Sequence, residues 1–252
     1  MSSSLSDLGK LILVLQEALP PGATMLGVVL SSDKTNISIM SGNCMVHLVL
    51  ISLANIDAHI QSKTSLHAYL LLALLPIAKF THKDTRVRGL LQDWLVHQSP
   101  NIILVPLKIA AQVGIMMNDP MGNLRYCYTL LASWIADMLE EGLLAATGPK
   151  PSPVTTATLK NFGDPYRHSP HTGETMLRAI CTACTKYSPR DYKNFIKTVK
   201  ALFLNGVTDP CWKGWALSNL LTSSHPRSFI TFTGCSGTMM SSGVSMSWEP
   251  LN

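Results

Sequence analysis

No run of about 20 uninterrupted apolar residues, the length a membrane-spanning helix needs, occurs in this sequence. The two richest stretches fail for different reasons: residues 11–15 are too few, and residues 70–78 are broken by Pro76 and closed by Lys79. A charged-then-apolar leader with a small-residue cleavage site is missing as well. The six cysteines (Cys44, Cys127, Cys181, Cys184, Cys211, Cys235) lack the spacing of a disulfide framework. These absences predict an intracellular protein, nuclear or cytoplasmic, neither secreted nor held in a membrane. A phosphate-cradling glycine loop is absent too. His47, His59, His67, His82 and His97 show neither metal-ligand spacing nor a nucleophile motif beside them. Hydrolase and metalloprotease chemistry therefore finds no support, and no small-molecule substrate is expected.

What is present is a core-forming composition. Apolar residues make up 46% of 252, enough to bury the interior of one large domain or two small ones. Twenty Lys and Arg against 15 Asp and Glu give a net charge of +5, which favours contact with a polyanion but is far from a histone-like balance.

Along the chain, residues 4–19 carry a capping Ser or Asp ahead of helically spaced apolar residues, stopped by Pro20, Pro21 and Gly22. Residues 24–30 form a continuous apolar run too short for a helix, which predicts a buried strand with Asp33 just past its end. Residues 36–40 and 45–53 are strand-prone and separated by Ser41, Gly42 and Asn43, so a three-stranded meander is the simplest reading. Leucines three and four apart predict helices over 65–80 and 84–98. A compact run from Val113 to Met117 then delivers a second acid, Asp119, before Pro120 and Gly122, and residues 123–145 return to helical periodicity.

Pro, Thr and Ser displace the leucines over 147–158, which marks a boundary. The expected division is a core over 1–146, a linker and mostly helical insertion over 147–224, and an irregular tail over 225–252. The helical stretch 173–204 is the most basic part of the chain, with Arg178, Lys186, Arg190, Lys193, Lys197 and Lys200. Tyr187, Tyr192 and Phe195 lie among these charges, an arrangement suited to phosphate contact with base stacking and equally to a solvated helix face over core aromatics. The tail holds Ser, Gly, Thr and Met without periodicity and specifies no packed element.

Three strands, helices, a fourth strand and a helix, with acids at the ends of the first and fourth strands, are the plan of an α/β ribonuclease H-like fold. Side by side, the two strands would let their carboxylates share divalent cations. Hard Mg²⁺ prefers such oxygen donors, and paired cations activate a water or 3′-hydroxyl while stabilising the leaving oxygen. An Asp after a strand also serves as a turn residue, so pattern alone leaves both roles open.

The segment GVVLSSDKTNISIMSGNCMVHLVLISLANIDAHIQSKTSLHAYLLLALLPIAKF resembles the corresponding stretch of Plavaka transposases, a fungal group akin to CACTA-type elements. LPPGAT, VGIMMNDPMGNLRYCYTLLASWIAD, SPVTTATLKNFGDPYRH and LNGVTDPCWKGWALSN resemble segments of the same family in the same order, so the likeness runs from about Leu19 to Asn219. The resemblance implies a DDE-type transposase with a Mg²⁺ or Mn²⁺ cofactor and DNA as partner. Its first acid would match Asp33 of SSDKT and its second Asp119 of MMNDP. Asp137 of WIAD lies in a similar stretch and reads as a helix cap. Lys34 is a candidate phosphate contact. The third acid would come from further along, where Ser228–Asn252 departs from the family. Shifted by two nucleotides, that tail can encode LHHFHRMFWDHDVKWCINVLGAAE, which resembles what the family carries next. The expectation is thus a truncated, frameshifted copy with an incomplete ribonuclease H-like core and vestigial Asp33 and Asp119, catalytically inactive. The alternative is a non-catalytic DNA-binding or protein-interaction remnant using the basic 173–204 region.

One other constellation draws notice. Cys181 and Cys184 in CTAC have zinc-knuckle spacing, but Cys211 and His168 or His171 would have to complete the tetrahedron. Buried thiols on a helix are the simpler expectation.

Overall fold

The structure, a computed structural model, describes Ile12, Gln16, Glu17 and residues 19–38 and 44–215. Most of the expected 4–19 helix, the turn at Ser41, Gly42 and Asn43, and the tail over 225–252 lie outside the described residues. The strands are Ala23–Ser38 (β1), Cys44–Leu53 (β2), Leu70–Leu75 (β3), Ile115–Asn118 (β4) and Leu124–Ile135 (β5). They form one mixed sheet ordered β3-β2-β1-β5-β4. The main helices are Thr85–Ile103 (α1), Val105–Val113 (α2), Met138–Leu144 (α3), Gly173–Lys186 (α4) and Tyr192–Ala201 (α5), so the chain is α/β.

β1 is central, and Met25, Val28, Val29 and Leu30 are all buried, which is why its apolar run is continuous rather than alternating. The expected strand 24–30 and the described part of 36–40, as far as Ser38, are one strand, because SSDKT stays extended and pairs with β2 from Asp33↔Leu48 to Asn36↔Met45. At Gly27 a Cβ would stand 2.7 Å from Cδ1 of Ile12, so the missing side chain lets the N-terminal segment pack directly on the sheet.

Two expected helices are corrected. Within 65–80, Leu70–Leu75 is β3, antiparallel to β2 from Ile51↔Leu70 to His47↔Leu75. Leucine spacing misleads there because β3 is an edge strand, with Leu70, Leu71 and Leu74 exposed. Within 123–145, Leu124–Ile135 is β5, and only Met138–Leu144 is helical. Leu130, Leu131, Ala132, Ser133 and Trp134 are all buried, so β5 has the apolar look of a core helix while being enclosed on both faces.

The run read as the fourth strand is corrected in position. β4 sits at the sheet edge, antiparallel to β5 and joined to it by a hairpin, while β5 lies beside β1 and parallel to it. One hydrophobic core joins Val28, Leu30 and Trp134 of the sheet to Leu90, Ile180, Phe195, Trp212 and Trp215, and so crosses position 147. Trp94 Nε1 donates to Gly206 O at 2.9 Å and Trp212 Nε1 to Leu144 O at 2.8 Å, stitching the 203–215 segment onto α1 and α3. Among the described residues, no helix is long and apolar enough to cross a membrane.

Candidate functional site

The parallel pairing of β1 with β5 runs from Ala23↔Tyr126 to Ser31↔Ile135. Two residues past that last pair, β1 reaches Asp33 and the other chain segment reaches Asp137. Asp33 is half-buried, still held in the sheet by its pairing with Leu48, and its Oδ2 accepts the Thr35 hydroxyl at 2.6 Å. Asp137 is exposed and extended (φ −70°, ψ 165°), and its Oδ1 accepts the Glu140 amide at 2.7 Å as the N-cap of α3. Each aspartate thus spends one oxygen on a local bond and keeps a second for another ligand. The two aspartates stand level, two residues beyond the last pair of adjacent parallel segments. Among the described residues, no group of three His, Cys, Asp or Glu side chains gathers around a common point.

Asp119 is not brought to this place. It occupies the β4–β5 turn, just beyond the end of β5 whose Tyr126 pairs with Ala23, at the start of β1. Asp33 lies 10 residues further along β1 than Ala23, so at about 3.3 Å per residue more than roughly 30 Å of sheet separates the two acids. The turn fully accounts for the Asp119 carboxylate. Oδ1 accepts the amides of Met121 and Asn123, both at 2.9 Å, and Oδ2 accepts Asn123 Nδ2 at 3.1 Å and Arg125 Nε at 2.9 Å. Bonds from Asn123, then Arg125 and Met121, hold its pKa down to about 2.

Beneath the strand tips lies a buried polar network. Trp134 Nε1 donates to Ser32 Oγ at 2.9 Å, and Ser32 Oγ donates to Glu140 Oε1 at 2.6 Å. The same oxygen accepts His47 Nε2 at 2.7 Å, with side-chain exposures of 6% and 9% for the pair. Ser32 and His47 alternate with half-buried neighbours on their strands, and nothing in the local sequence marked them. For Glu140 a signal existed: an acid three residues after a capping Asp reads as half of a capping box.

The basic residues divide between two helices. Arg178 and Lys186 sit on α4, where Arg178 is bound to Glu174 at 2.6 Å, and Arg190 lies in the connection. On α5, Phe195, Ile196, Thr198 and Val199 turn inward while Lys193, Lys197 and Lys200 line the exposed side. Among the described residues these three lysines form no ion pair. Lys34 is exposed beside Asp33. Among the described residues the cysteines gather into no metal-binding group: Cys181 is exposed, contrary to the buried-thiol expectation, while Cys211 is fully buried and burial pushes its thiol up to about 12. His168 faces both oxygens of Asp164 at 3.1 Å instead.

In comparisons with known proteins, the family model described as Plavaka transposase matches residues 9–227. No curated protein and no solved structure matches the chain.

Proposed function

The chain belongs to the Plavaka transposase family, and from that membership we propose that its sheet is a ribonuclease H-like core whose metal-binding acids are Asp33 and Asp137. The observation that carries this reading is the parallel β1–β5 register, which takes both aspartates to the same end of adjacent strands. An antiparallel β1-β2-β3 meander flanked by a parallel strand supports the fold reading. Asp137 takes the role that the sequence assigned to Asp119, whose carboxylate is saturated by its own turn.

When bound, divalent cations in such a site activate the attacking hydroxyl and stabilise the leaving oxygen of a phosphodiester. The protein's part is to present two carboxylates at the C-terminal ends of two adjacent parallel strands, with Lys34 beside them as a phosphate contact. Ancestrally this is metal-dependent DNA strand cleavage and transfer, work done in the nucleus. Two aspartates alone supply few oxygen donors for a divalent cation, so weak binding and loss of turnover belong to this reading. Titrating Mn²⁺ into wild type, Asp33→Ala, Asp137→Ala and Asp119→Ala tests the assignment. Affinity falls at least tenfold in the first two variants and is unchanged in the third, the usual scale for removing a ligand or its support. Loss of affinity in Asp119→Ala alone would sink it.

The second reading is duplex binding without catalysis, favoured by the lysine row on α5. It is compatible with the first, since a polyanion meeting one face of the molecule does not require chemistry at the other.

A further inference from the structure

Glu140 occupies the third position of α3, from which a glutamate ordinarily reaches back to the N-cap amide. Here it turns away, into the sheet. Its Oε1 takes the Ser32 hydroxyl at 2.6 Å and His47 Nε2 at 2.7 Å, while its own amide is bound by Asp137 at 2.7 Å. Trp134, three residues before Asp137 on β5, fixes Ser32 from the other side at 2.9 Å. The bonds therefore close a ring: Asp33 follows Ser32 in the chain, Ser32 binds Glu140, Glu140 binds Asp137, and β5 returns from Asp137 to Trp134 and Ser32.

A carboxylate with 9% of its side chain exposed is an expensive way to pack two strands against a helix. Burying a charge is costly even when paired, and apolar residues of similar size commonly do as well or better for stability. A seven-residue helix is also too short to hold its own first turn in place. What the ring supplies is a fixed separation between the tips of β1 and β5.

We propose that Glu140, gripped by Ser32 and His47, is a positioning residue that sets the spacing of the Asp33 and Asp137 carboxylates for a shared divalent cation. The proposal rests on the metal-site reading given above. Ser32 and His47 belong to it as the donors that aim Glu140, and none of the three touches the cation.

The test is Mn²⁺ affinity of the full chain, read by calorimetry and by the electron paramagnetic resonance spectrum of bound Mn²⁺, with melting temperature measured alongside. Glu140→Ala weakens binding about tenfold or more and broadens the spectrum as the two carboxylates lose a common geometry. Glu140→Gln recovers most of the affinity, because its amide oxygen accepts the same two bonds. Ser32→Ala, which removes one bond and little volume, falls between them and carries the test if Glu140→Ala does not fold. A purely structural Glu140 would lower the melting temperature and leave affinity and spectrum alone. The proposal is overturned if folded Glu140→Ala and Ser32→Ala bind like wild type while Asp33→Ala has lost affinity, an outcome that leaves the metal site itself standing. If Asp33→Ala and Asp137→Ala also bind like wild type, the metal-site reading fails and takes this proposal with it.

Discussion

His97 shows what a single buried side chain contributes away from the strand tips. Its Nε2 donates to Leu143 O at 3.0 Å and its Nδ1 accepts the Cys211 amide at 3.1 Å, a pairing that only the neutral ring satisfies. Burial pushes its pKa down to about 4. In the unfolded chain the ring takes a proton near pH 6.5, so as pH falls from there the unfolded state binds protons that the folded state refuses. Stability from His97 is complete above about pH 6.5, drains away towards pH 4 and is constant below, for a total of about 3 kcal/mol at 1.36 kcal/mol per pKa unit. Asp93 opposes this trend. Burial raises its carboxyl to about 6 despite Arg86, so the folded state keeps a proton that the unfolded state has lost, and its stabilising effect fades as pH rises over nearly the same window. Denaturant titrations should therefore show a weak pH dependence in wild type between pH 4 and 6.5. In Asp93→Asn stability climbs steeply with pH, and in His97→Gln it falls. A steep wild-type rise that Asp93→Asn leaves unchanged would contradict the balance.

Among the elements, the helices with a one-sided apolar stripe were readable from spacing. α4 and α5 lie inside the range expected for them, α1 begins where its pattern does, and the capping pair Thr172 and Thr175 marks the start of α4. On α5, Lys193, Lys197 and Lys200 span about 10.5 Å along the helix at 1.5 Å per residue, a reach that covers neighbouring phosphates of one strand. Replacing all three with Ala makes the salt dependence of duplex binding shallower by roughly 2.7 in log–log slope, about 0.9 for each phosphate no longer neutralised. The melting temperature stays put, because the three side chains are exposed. An unchanged slope would remove α5 from the interface and with it the support for the second reading. β5, by contrast, was not readable, because a strand enclosed on both faces loses the alternation that distinguishes it from a core helix. Misreading β5 hid the proposed pair, since the segment leaving its far end, and not the tip of β4, comes level with Asp33. Asp33 itself was legible because the apolar run of its strand gives way to a polar SSDKT. The capping role expected of Asp137 is present, and it is compatible with metal binding through the second oxygen.

At the scale of the whole molecule, the sheet ends at two open edges. β3 exposes Leu70, Leu71 and Leu74 at 61%, 52% and 59%, and the opposite flank exposes Val105, Ile109 and Val113 of α2 together with Met116 of β4. Among the described residues β3 has no strand beyond it, so its outer amides and carbonyls stand beside three bare leucines without a charge to discourage pairing. Edges of this kind promote association of chains, and apolar patches of this kind lower solubility. Self-association of the isolated chain should therefore grow with concentration. Leu74→Lys on β3 and Ile109→Lys on α2 act at separate surfaces, so each alone reduces association in part and the pair reduces it further. Both positions are solvent-exposed, which keeps the stability change within about 0.5 kcal/mol each. Sedimentation velocity at several concentrations, with thermal melts as the control, reads both quantities. If the double variant associates as wild type does, these edges are not what joins the chains. If it melts well below wild type, the two side chains are packed rather than bare.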